Sequence, residues 1–143
     1  MLLVGGCSTA ASSAGATPTH SPTTTPAFGT GIVTFGKSYN TNTLGIVGAE
    51  TVFKTTTPLI AWSASFREAA GTTSVTSILA SRTGSGVEIT INEQQAQISD
   101  PRDDLIANKA DLAWIAGRKP GTYVLRYLRG ATVLAEGTFR LVR

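Results

Sequence analysis

Most of the residues on which enzymes and metal sites depend are scarce in this chain. It has one cysteine, so no disulfide can form within it. Its single histidine, His20, leaves imidazole catalysis and histidine-ligated metals almost nothing to work with. Charged residues make up only 15% of the 143 positions, and the formal net charge is +3, too small to point to nucleic acid as a partner. No run of 18 or more apolar residues occurs, so the sequence predicts no membrane-spanning helix. The length suits one domain rather than two. Apolar residues, at 41%, suffice for a core.

Charge is also absent from one end. The first charged residue is Lys37. Between Ser8 and Ala27, ten of twenty positions are Ser or Thr, and three of the six prolines (Pro18, Pro22 and Pro26) fall there as well. Such a segment has too little apolar surface to offset the entropy cost of ordering, so residues 8–27 are expected to be a disordered tether. From Phe28 onward β-formers take over, and 28–143 is the expected folded domain.

The pattern in that domain has a period of two, the spacing of strands. Ile60, Trp62, Ala64 and Phe66 alternate with Ala61, Ser63, Ser65 and Arg67, which predicts a strand with one wet face. Val87, Ile89 and Ile91 alternate with Glu88, Thr90 and Asn92. Two further alternations cover Tyr123–Leu128 and Val133–Val142, and less regular apolar runs occupy 32–37, 44–54 and 74–82. Ala70-Gly71-Thr72 and Thr83-Gly84-Ser85-Gly86 mark turns. A three-residue loop, Arg129-Gly130-Ala131, would set Tyr127 against Val133 and Leu125 against Ala135. The segment Asp103–Gly117 could read as a helix with Gly117 as its C-cap, but a strand followed by one helical turn near Asp111–Ala116 is the favoured expectation. The expected fold is an all-β, antiparallel β-sandwich of about seven to nine strands with one short helical crossover.

Two resemblances sharpen this expectation. Val4-Gly5-Gly6-Cys7 resembles the bacterial lipobox: an aliphatic residue, two small residues, then the cysteine that receives a diacylglyceryl group. The resemblance implies that Cys7 is the lipidation site and that the membrane is a partner through that lipid. Residues 1–7 would be the remnant of a lipoprotein signal. Only six residues precede Cys7, so the reading frame is expected to continue upstream into a basic and then an apolar segment. Lys119-Pro120-Gly121-Thr122-Tyr123-Val124-Leu125 is similar to the opening of the penultimate strand in bacterial immunoglobulin-like and fibronectin-type modules. There Tyr123 lies two residues before the position of the second cysteine, here Leu125. That resemblance implies an immunoglobulin-like sandwich pinned by apolar packing around Trp62.

Candidate site residues are few. Asp100, Asp103 and Asp104 are weak candidates for Ca²⁺, since Arg102 lies among them and the spacing is not that of a calcium loop. Trp62, Phe66, Tyr123, Tyr127 and Phe139 fall on apolar phases and are expected in the core. Trp114 lies in a less regular segment and could stack on a sugar ring, which makes a carbohydrate-binding module the alternative reading; a structural domain of a larger exported protein is the third. From Pro101 to Arg143 eight Lys/Arg face four Asp/Glu, against four and five from Lys37 to Asp100. Arg118, Lys119 and Arg129 are therefore candidate contacts to an anionic polymer or another envelope protein. Arg126 is expected diagonal to Glu136, partly neutralising it. The sequence predicts no catalytic residues, no cofactor and no nucleic-acid partner, and leads to a non-enzymatic, lipid-anchored cell-envelope module.

Overall fold

The computed structural model describes residues 30–111, 117 and 119–143. Nine strands occur among them: β1 (Gly31–Tyr39), β2 (Ile46–Ala49), β3 (Val52–Lys54), β4 (Leu59–Ser65), β5 (Ser74–Arg82), β6 (Glu88–Gln97), β7 (Leu105–Asp111), β8 (Gly121–Arg129) and β9 (Thr132–Val142). The fold is all-β, with no α-helix among the described residues. The helical crossover expected near Asp111–Ala116 is therefore not found: Asp111 closes β7, and 112–116 lie outside the described residues.

The strands form one continuous sheet, in the order β6-β5-β8-β9-β1-β4-β7, with β2 beside β1 and β3 beside β9. The expectation of two separate sheets is corrected accordingly: the sheet curls into a half-barrel whose free edges are β6 and β7. It is not purely antiparallel either. β1 and β3 both run parallel to β9, one at Ala135–Glu136 and the other at Arg140–Val142. Two strands thus share one edge of β9, each through a short pairing. Between them Gly137 is essential, because a Cβ there would lie 2.3 Å from the Val33 carbonyl oxygen and 2.7 Å from the Val33 Cβ. Any larger residue would push β1 off β9.

Curling brings β4 opposite β8. Trp62 on β4 donates its indole N–H to the Tyr127 hydroxyl on β8 at 2.7 Å, across the core rather than along the sheet. Phe66 and Tyr127 lie 6.1 Å apart between ring centres, and Phe35 and Phe139 4.9 Å. Trp62, Phe66, Tyr123, Tyr127 and Phe139 are all buried, as the alternation predicts. The predicted wet face on β4 holds at Ser65 and Arg67 but not at Ala61 and Ser63. Ala61 and Ser63 are buried too, because β1 and β7 flank the strand and Ile46 of β2 closes over Gly36, the registered neighbour of Ala61.

Two bulges explain further departures. The β8–β9 connection has two residues, Gly130 and Ala131, so Arg129 pairs with Thr132. Gly130 takes the left-handed conformation, φ 58°. A two-residue turn alone would set the apolar faces out of phase; an extra residue, Leu134, restores them. Tyr127 consequently faces Ala135 and Leu125 faces Gly137, instead of the expected Val133 and Ala135. On β6 a shift at Leu79/Ala80 leaves Ile91 as the extra residue. Past it Val87 and Ile89 are each 57% exposed, so they do not form the predicted buried face.

Candidate functional site

The outer face of the β6-β5-β8-β9 wall carries the strongest electrostatic feature. Arg126 projects from this face, opposite to its core-facing neighbours Leu125 and Tyr127. Its guanidinium reaches over β5 to the Glu88 carboxylate on β6, with Nη2 to Oε1 at 3.0 Å, while its Nε–H donates to Glu136 on β9. Arg82 adds two hydrogen bonds to Glu88, at 3.0 and 2.7 Å. Arg126 is only 8% exposed at its side chain, and Glu88 and Glu136 are 14% exposed. Beneath them Ala80 and Val124 are buried on this same outer face. The hydrogen bond from Arg126 holds the Glu88 carboxyl at about 2, against an ordinary 4.5; burial works the other way, and Arg82 adds to the lowering. Two arginines and two glutamates balance in charge. Arg126 and Glu136 stand directly opposite each other rather than diagonally.

The sequence pairs Arg126 with Glu136 but misses Glu88 and Arg82. Glu88 lies 38 positions earlier, on a strand that does not adjoin β8. Only the strand order brings it within reach.

The pole at the start of β1 holds Arg129 and the acidic turn. Arg129 donates to the Ala70 carbonyl at 2.9 Å and to Glu68 at 3.1 Å, pinning the turn between β4 and β5. It is a structural clamp in this arrangement. Asp100 receives the Arg102 guanidinium, with contacts from 2.6 to 3.2 Å, and Arg102 holds the Asp100 carboxyl below its ordinary range. Asp103 accepts the Asp100 backbone N–H at 3.0 Å, closing the turn. Among the described residues no three His, Cys, Asp or Glu side chains come together as metal ligands. The three aspartates are used by the turn or, for Asp104, through its carbonyl, which accepts the Phe66 N–H.

The opposite pole is basic. Lys54 and Arg140 lie on the outer face of β3 and β9, where Val52 pairs with Arg140 and Lys54 with Val142. Lys119 precedes β8, and its carbonyl accepts the Tyr123 hydroxyl at 2.6 Å. Lys54, Lys119, Arg140 and Arg143 are exposed. Among the described residues, ion pairs occupy Lys37, Arg82, Arg102, Arg126 and Arg129, but not these four. Cys7, His20, the segment 8–27, Trp114 and Arg118 lie outside the described residues.

No protein-family model matches the chain, and no curated protein matches it. Among solved structures it is similar to an immunoglobulin-like protein from Pseudomonas aeruginosa. The two share 14% identity over 77% of this chain and 91% of that one, with a TM-score of 0.47.

Proposed function

We propose that the protein is a lipid-anchored, non-enzymatic module of the bacterial cell envelope, with an immunoglobulin-like domain carried on a flexible tether. The observation that carries the anchor is Val4-Gly5-Gly6-Cys7 followed by the uncharged Ser/Thr/Pro segment. The first strand starts at Gly31, well past Cys7. A flexible tether of twenty residues would hold the domain roughly 25 Å from the lipid on average, taking about 5–6 Å × √n. The immunoglobulin-like reading is supported by Tyr123, whose hydroxyl turns back to a backbone carbonyl four residues upstream at the start of a core strand, as a tyrosine corner does. The non-enzymatic reading is supported by how these charged groups are used: Glu88 and Glu136 are neutralised by Arg82 and Arg126.

The test is fractionation of cells expressing the gene with its native upstream codons. Wild-type protein is expected in the membrane fraction and Cys7→Ser in the soluble fraction. Both should have the same circular dichroism spectrum, since Cys7 precedes the described domain. A wild type that is soluble, or a Cys7→Ser variant that stays with the membrane, contradicts the anchor.

A further inference from the structure

We propose that the pole carrying Lys54, Lys119 and Arg140 binds a polyanion whose charges are phosphates, and that this surface faces away from the point where the chain joins the domain. The strand directions place it. β1 joins the sheet with Gly31 registered to Ala135, and β9 then runs on to Arg140, five residues or about 17 Å further at ~3.4 Å per residue. β3 runs the same way and ends at Lys54, while β8 starts from this end just after Lys119. Three separate segments therefore deliver a cation to one pole.

The pole's own carboxylates do not offset them. Glu88 is committed to Arg82 and Arg126, Glu50 is paired with Lys37, and Asp111, at the end of β7, has an interaction of its own. Hydroxyls surround the cations: Thr55, Thr56 and Thr57 follow Lys54, and Thr122 stands opposite Arg140. Cations interleaved with neutral donors suit phosphate oxygens, which take both charge and hydrogen bonds. An acidic protein would need an apolar centre of several residues to its interface; beside Arg140 a single exposed apolar side chain, Val52, stands on one flank and Thr122 on the other. Arg129, which the sequence alone groups with Lys119, is excluded by its ion pair, as is Arg126. The proposal holds whether or not Cys7 carries a lipid.

The purified full chain is titrated with long-chain inorganic polyphosphate over a range of salt concentrations. Wild type is expected to bind with an affinity that falls steeply with salt. Lys54→Gln/Lys119→Gln/Arg140→Gln should bind at least about tenfold more weakly, with a log–log salt slope reduced by about 2, since each phosphate contact contributes about 0.7–0.9. Arg67→Gln/Arg102→Gln, which removes two exposed cations at the other pole, should bind like wild type. Far-ultraviolet circular dichroism confirms that each variant is folded. Equal losses in both variants would reduce the effect to overall charge and overturn the proposal. So would equal or tighter binding of poly-glutamate at matched charge, or binding to anionic phospholipid vesicles without binding to polyphosphate.

Discussion

Removing one oxygen atom, by Tyr127→Phe, tests whether the two walls of the half-barrel are joined by a hydrogen bond or by packing alone. Tyr127 is 1% exposed, and its hydroxyl accepts the Trp62 indole N–H at 2.7 Å. Burial raises the pKa of that hydroxyl, while hydrogen bonds with Trp62 and Ser77 oppose the rise. The substitution nearly conserves volume, so the cavity cost is small. What it leaves is a buried indole N–H without its acceptor. Stranding a buried donor costs about 1–3 kcal/mol. At about 4 °C per kcal/mol for a domain of this size, the melting temperature should fall by about 4–12 °C. Trp62→Phe removes the donor instead and also some volume. In a double-mutant cycle, the two changes together should cost about 1–3 kcal/mol less than their sum, because the second removes a group already stranded. The assay is urea denaturation followed by circular dichroism, with equal m-values required for the comparison. A Tyr127→Phe variant that melts within a degree of wild type, or two strictly additive changes, would refute the bond across the core.

Three further outcomes follow from the same coordinates. Glu88→Gln should lower stability by about 1–3 kcal/mol at pH 7, as the loss of charged hydrogen bonds does. Because the folded carboxyl is held at about 2 against 4.5, its contribution is complete above about pH 4.5 and lost as the pH falls toward 2. Denaturation curves for wild type and Glu88→Gln should therefore converge on acidification; a constant gap from pH 7 to pH 2.5 would contradict the assignment. Gly137→Ala should destabilise by about 3 kcal/mol, since its Cβ meets rigid β1 backbone at 2.3 Å. Gly130→Ala, which meets no atom within 4 Å and suffers only from its φ of 58°, should cost about 1 kcal/mol. Thermal melts that rank the two glycines the other way round would be inconsistent with the close crossing of β1 and β9.

How far the sequence could be read depended on whether the relevant geometry was local. β4, β8 and β9 stood out because alternation is written into consecutive residues, and Trp62 and Tyr127 fell inside for that reason. Their mutual hydrogen bond did not, since 65 positions separate them and only the curl of the sheet makes them meet. The bulges at Leu134 and Ile91 were invisible for a different reason. A single inserted residue leaves the apolar pattern almost unchanged while reversing which face the following residues occupy. That is how Ile89 came to be exposed. The parallel placement of β1 and β3 along β9 likewise leaves no local trace beyond Gly137. Among the charges, Arg126–Glu136 could be found within one hairpin, whereas Glu88 and the basic pole depend on strand order. The candidates at Cys7, Trp114 and Arg118 rest on the sequence alone.

The most direct measurement is the intact mass of the mature protein, extracted from membranes of a bacterium expressing the gene with its upstream codons. A chain beginning at Cys7, and heavier than that polypeptide by a diacylglyceryl group or more, is the predicted result; an unmodified chain retaining Met1 would contradict it.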